Sequence, residues 1–279
     1  MRGLLLALAL ALCAGRACAA QPEPVTFASV DGTQLTGLLL RPGQPAQGTV
    51  IALHGCGGLY ATAGARKGQL SARHQAMADL LLAEGYNVLL PDSLGPRGES
   101  EICTQRLGSR RIDQTQRRAD ALGALAWAAG QPWSRPQRLA LLGWSHGGSA
   151  VLSATDANHP QVKTLTARVA VAIAFYPGCT AALRAGYRPD TRLALMLGEK
   201  DDWTPPGPCI ELGRAVGAEV NVYPDSYHDF DNPIGEVRLR PDVPNGVNPG
   251  QGVHAGRNPV TREQAYARVR QLLGEAFAR

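Results

Sequence analysis

The chain has 279 residues, 44% of them hydrophobic, with a formal net charge of +5. That is enough apolar material for one large core, and with aromatics at only 5% it must be filled mainly by aliphatic side chains. The charge is modest and no Lys/Arg run or basic–aromatic stripe stands out, which argues against nucleic acid as a partner.

The N-terminus, "MRGLLLALALALCAGRACAAQPEP", sets one Arg before a short Leu/Ala run and then the small residues Ala17-Cys18-Ala19-Ala20. This is the layout of a secretory signal peptide over residues 1–20, and the run is short for a membrane span. Neither Cys13 nor Cys18 sits in the small-residue context of a lipidated cysteine. The expectation is therefore a periplasmic or secreted protein, free of the membrane once cleaved, with residues 21–279 forming a single domain. The mature chain keeps Cys56, Cys103, Cys179 and Cys209, an even set that allows up to two disulfides in three connectivities.

"VTFASV" and "QLTGLLLRP", separated by Asp31-Gly32-Thr33, alternate and predict a hairpin at one end of a sheet. "TVIALHGCGG" is a β-rich run ending in glycines. His74 to Glu84 predicts a helix with Met77, Leu80 and Leu81 on one face, stopped by Gly85. The strand "NVLLPD" leads to a long loop, "SLGPRGESEIC". A helix from about Arg110 to Ala129 follows, with Thr115, Ala119, Leu122, Ala126 and Ala129 on its apolar stripe. "RLALLGWS", "RVAVAIAFYP", "RLALMLGEKD" and "EVNVYPDSYH" are further strands with helical segments between them, and a last helix runs from about Thr261 to Ala278. Short apolar strands alternating with amphipathic helices predict an α/β protein, a mostly parallel sheet covered on both faces. The Gly-, Pro- and Asn-rich stretch from Asp231 to Pro259 reads as an irregular excursion.

"GWSHG" fits G-x-S-x-G at Gly143, Ser145 and Gly147, between a strand and a helix start. Such a turn lifts a serine hydroxyl clear of a sheet, and a side chain at either glycine would collide with a neighbouring element. A serine needs a base, and the base an orienting acid, in the chain order serine, acid, histidine, each after a strand. The acid is Asp201 or Asp202; Asp201 is preferred because it comes directly off the strand end, leaving Asp202 to cap the following turn or face solvent. Of six histidines only His228 follows the last strand. His54 lies in the glycine loop, His146 follows the serine, His74 and His159 are on or near helix surfaces, and His254 is in the excursion.

Through "LHGCGG", "YNVLLPDSLGPRG", "GWSHGG", "GEKDDWTP" and "YHDFDNP" the chain, from about Val25 onward, resembles the α/β-hydrolase superfamily and within it the dienelactone hydrolase family. The resemblance implies the α/β-hydrolase fold, a Ser145–Asp201–His228 triad, and a second oxyanion-hole donor at the backbone N–H of Cys56, with Gly57 as alternate. The first donor is the N–H of His146, directly after the nucleophile. The namesake enzymes of the family carry cysteine where this chain has serine. Cys56 and Cys103 follow adjacent strand ends, as do Cys179 and Cys209, so 56 is paired with 103 and 179 with 209. Arg97 in "GPRG" is either a pocket cation or a structural arginine, and Trp144 either lines the acyl pocket or packs beneath the turn.

The leading expectation is a serine hydrolase that cleaves a small ester or lactone through an acyl-enzyme, with no cofactor. A peptidase or a carbohydrate esterase (acetyl or feruloyl) on the same fold is an alternative. A non-catalytic ligand- or metal-binding protein using His54, His146 and His228 is the alternative of another class, and no metal-ligand spacing supports it.

Overall fold

The computed structural model describes residues 21–278, and the expected signal peptide with Cys13 and Cys18 lies outside them. β1 (Glu23–Ala28) and β2 (Gln34–Leu40) form the expected antiparallel hairpin, with Phe27 opposite Leu35. β2 runs antiparallel to β4 (Asn87–Asp92). β3 (Thr49–Leu53), β5 (Leu139–Trp144), β6 (Val169–Phe175), β7 (Leu193–Gly198) and β8 (Glu219–Tyr223) continue from β4 in parallel. The strand order is β1-β2-β4-β3-β5-β6-β7-β8.

Among the described residues seven α-helices accompany this sheet: α1 (Ala72–Ala83), α2 (Gln114–Ala129), α3 (His146–Ala154), α4 (Pro160–Lys163), α5 (Thr180–Arg184), α6 (Pro206–Val216) and α7 (Pro259–Phe277). β3, β4, β5 and β7 are buried at every position, because helices cover both faces of the sheet. The two-residue period of a strand then divides each apolar run between two cores. Val50 and Ala52 join Leu142, Met77, Val269 and Leu273 under α1 and α7. Ile51 and Leu53 join Leu141, Leu122, Leu125 and Val151 under α2 and α3.

α2 differs from its predicted form. It begins at Gln114, because Asp113 and Gln116 make a reciprocal capping box at its start. Thr115 and Ala126, expected on the buried stripe, are exposed. The buried set is instead Arg117, Ala119 to Leu125 and Ala128, wider than one stripe. The helix is wedged between β1 and α3, and its small residues permit that approach; a Cβ on Gly123 would press on the backbone of Ala28 and Ser29.

The stretch after Asp231 is also more ordered than expected. It holds a short antiparallel pair, β9 (Arg238–Arg240) and β10 (Val253–Ala255), and Ala255 bridges to His228. No helix among the described residues is long and apolar enough to cross a membrane.

Gly123→Ala is expected to destabilise the fold by about 1–3 kcal/mol through overpacking against backbone that cannot give way. Gly274→Ala, where a Cβ meets nothing within 4 Å, is expected to be neutral or to stabilise by up to about 1 kcal/mol. Urea unfolding midpoints of the two variants check the contrast.

Candidate active site

β5 is apolar and buried to Trp144, and the chain then turns directly into α3. Ser145 is held at φ 52°, ψ −115°, a conformation that costs a non-glycine residue about 1–3 kcal/mol. Its amide donates to the carbonyl of Phe175 (2.9 Å), and its carbonyl accepts from Ser149 (2.9 Å). The flanking glycines are required by space: a Cβ on Gly143 would meet the carbonyl of Gly147, and one on Gly147 the carbonyls of Leu53 and His54. Gly148, one residue further on, passes the carbonyl of Phe175 at similarly close range.

Asp201 leaves the end of β7. Its Oδ1 accepts from the amides of Trp203 and Thr204, each at 2.9 Å, and its Oδ2 lies 2.8 Å from Nδ1 of His228. A hydrogen bond to a carboxylate puts the proton on Nδ1, which leaves Nε2 as a free acceptor. Nε2 is buried and has no hydrogen-bond partner among the described residues. The imidazole lies against the rings of Tyr176 (centroids 4.4 Å apart) and Trp203 (4.6 Å). Asp202 is committed elsewhere, accepting from the amide and Nδ1 of His254 at 2.8 and 2.7 Å. It is thus Asp201 that caps the turn, whereas Asp202 ties that turn to β10.

The glycine loop after β3 is braced from within. His54 is fully buried; the amide of Ser93 donates to its Nε2 (3.1 Å), so Nδ1 carries the proton and donates to Gly55 O (2.7 Å). Arg117 donates to the His54 carbonyl at 2.6 Å. Cys56 is disulfide-bonded to Cys103, and Cys179 to Cys209, the pairs expected from their strand ends. The amides of Cys56 and His146 donate to no protein acceptor among the described residues.

A cleft of about 440 Å³ opens beside Ser145, lined by Cys56, His146, Cys179, Arg110, Gln114 and Trp203. Leu107 and Val247, both exposed, stand at it. Arg97 and Trp144 are not part of it, which corrects the pocket roles offered for them. Arg97 is spent on both carboxylate oxygens of Asp120 (2.9 and 2.8 Å), on Asp31 and on the Ser93 carbonyl. Trp144 is fully buried beneath the turn, its Nε1 donating to Asp231 at 2.7 Å. His74 is buried rather than on a helix surface, bonded to Ser71 and Leu59 O (both 2.9 Å).

Several residues around the site were not anticipated: Arg73, Tyr176, Thr204, Asp229 and Asp231. The two acids of "HDFD" are a usable signal, since carboxylates that follow a histidine and flank a buried Phe demand partners. Arg73 has no such signal, because a basic residue in a first helical turn normally faces solvent.

A strained serine at the end of the central parallel strand β5, with Asp201 after β7 hydrogen-bonded to His228 after β8 at the same edge of the sheet, defines an α/β-hydrolase fold. The Dienelactone hydrolase family matches residues 35–277, and the chain belongs to that family. Among solved structures it is similar to a dienelactone hydrolase from Anabaena variabilis (21% identity, TM-score 0.59, 94% of this chain and 98% of that one). A Pyrococcus furiosus esterase aligns at 16% identity and TM-score 0.60, over 92% of this chain and 93% of that one. A dienelactone hydrolase-like promiscuous phosphotriesterase from metagenomic libraries aligns at 16% and 0.64, over 93% and 99%. At these identities the likeness is one of fold. No curated protein matches the sequence.

Three histidines near the site are held neutral. Burial, then Arg117, keeps His54 well below the usual imidazole range; burial, then Arg117 and Arg110, does the same to His146. Burial, with Arg73 beside it, pushes His74 down to about 3. An unfolded histidine titrates near 6.5, so as pH falls from about 6.5 to about 5 the unfolded chain binds protons that the native chain refuses, and stability drops. The expected loss is roughly 1 kcal/mol per pH unit for each histidine. Urea midpoints at pH 7, 6 and 5 measure it; a flat midpoint contradicts it.

Proposed function

We propose that the protein is a serine hydrolase that cleaves a carboxylic ester or lactone through an acyl-enzyme, with Ser145 as nucleophile, His228 as general base and then acid, and Asp201 as orienting acid. Membership of the dienelactone hydrolase family supports ester or lactone hydrolysis. The observation that carries the serine mechanism is the conjunction of a serine in a strained, glycine-fenced turn with a buried imidazole tethered to Asp201 through Nδ1, its Nε2 unpartnered.

In this reading the Ser145 hydroxyl passes its proton to Nε2 as Oγ attacks the substrate carbonyl. Catalytic hydrogen bonds of this kind tighten when substrate is bound. Asp201 stabilises the imidazolium that forms without taking its proton. The amides of His146 and Cys56 receive the tetrahedral oxyanion, each such donor being worth about 3–4 kcal/mol of transition-state stabilisation. The imidazolium protonates the departing alkoxide, and water activated by the same imidazole then releases the acid and restores Ser145. The two disulfides, together with the N-terminal residue pattern, support export to an oxidising compartment.

Ser145→Ala is expected to abolish turnover of p-nitrophenyl acetate and labelling by a fluorophosphonate, with an unchanged circular dichroism spectrum. Asp201→Asn is expected to lower kcat by about 10⁴, whereas Asp202→Asn, whose carboxylate serves His254, stays within a few-fold of the parent. Turnover by Ser145→Ala ends the reading.

A further inference from the structure

Burying a guanidinium is costly, and a buried ion pair is often no more stabilising than well-packed apolar residues. Stability alone therefore gives no reason for Arg73 in the first turn of α1, with its side chain only 12% exposed. Its contacts give one. Nη1 donates to the hydroxyl of Tyr176 (3.0 Å) and to the carboxylate of Asp229, and the guanidinium stands 5.8 Å from the centroid of the Trp144 ring. Each contact leads to the site. Tyr176, at φ 36°, packs its ring 4.4 Å from the imidazole of His228. Asp229 follows His228 directly and has φ 65°. Trp144 immediately precedes Ser145. Asp231, wholly buried, closes the circuit by accepting from Tyr176 Oη (2.5 Å) and Trp144 Nε1 (2.7 Å).

We propose that Arg73 is a positioning residue for His228: through Tyr176 and Asp229 it fixes the imidazole against Asp201 and neutralises the carboxylate beside it. This rests on His228 being the general base.

The charged groups packed around His228 are Asp201 after β7, hydrogen-bonded to it, Asp229 on its own loop, Arg73 and Asp231 behind the ring of Tyr176, the residue after β6, and Arg240 from β9 behind the ring of Trp203. Asp229 in turn faces Arg73 from α1 and feels Arg240 from β9. Burial works against the Asp229 charge, yet Arg73 and then His228 hold its carboxyl below the usual range. Without Arg73 the Asp229 carboxylate would lose its principal counter-ion and, next to the imidazole, favour imidazolium, and the ring would lose the support under Tyr176. The first effect raises the acid limb of kcat/KM, because the base must be neutral to act. The second lowers kcat.

The test uses kcat and kcat/KM for p-nitrophenyl acetate across pH. Arg73→Met is expected to lower kcat about ten- to a hundredfold, as a misplaced base does, with KM within about twofold, and to move the acid limb up by about half a pH unit or more. Arg73→Lys should return the limb to its place while recovering only part of kcat, since one ammonium cannot reproduce the planar fork. Asp229→Asn, which removes the carboxylate next to the imidazole while Arg73 stays, should move the limb down. An unshifted limb in Arg73→Met overturns the proposal; if that variant does not fold, an unshifted limb in Asp229→Asn does so instead. Ser145→Ala in parallel separates the two levels: turnover there sinks the hydrolase reading, whereas an inactive Ser145→Ala beside unshifted limbs sinks only the role of Arg73.

Discussion

The close approach of backbone where β5 turns into α3 is the constraint on which the site depends. Gly143 and Gly147 let the turn press against the carbonyls of the turn itself and of β3, and that pressure holds Ser145 in a conformation it would not adopt alone. The strain is about 1–3 kcal/mol. It is sustained because Leu141, Leu142 and Trp144 on the same strand are wholly buried, each large apolar side chain contributing about 1.5–3 kcal/mol on burial. The packed sheet thus holds one serine in a single orientation at the wall of the cleft.

Three buried or nearly buried guanidiniums brace the loops at that rim. Arg117 holds the loop after β3 by the carbonyl of His54, Arg97 holds the loop after β4 by the carbonyl of Ser93, and Arg73 holds the loop after β8 by Asp229. The two disulfides act on the same region, since Cys56 and Cys179 both line the cleft. Loops without regular hydrogen-bond ladders gain rigidity from such charge-assisted and covalent ties. The polar groups are expensive to bury, and what they give in return is a fixed arrangement of backbone donors and side chains around Ser145.

Much of this was readable along the chain. Apolar runs of five to seven residues could only be strands covered on both faces, and the glycines around Ser145 marked a turn that no other residue fits. His228 is legible because it follows such a strand, and so is a preference for Asp201 over Asp202, though not the choice between them. α2 departs from its sequence pattern because its alanines and glycines serve close packing on more than one side, which a single-stripe periodicity cannot represent. Arg97 and Trp144 are ambiguous in the sequence because neither Asp120 nor Asp231, their partners, is near them along the chain.

The sequence by itself determined which segments become strands and helices, which strand faces are apolar, and which serine stands in a strained turn, because these depend on the spacing of neighbouring residues and on the absence of a Cβ. Only the tertiary structure decided which carboxylate serves His228, which arginine braces which loop, and that Tyr176 and Trp203 pack against the imidazole. Those choices pair groups tens to more than a hundred residues apart, and a buried charge finds its partner through the packing of whole elements, which no local pattern encodes.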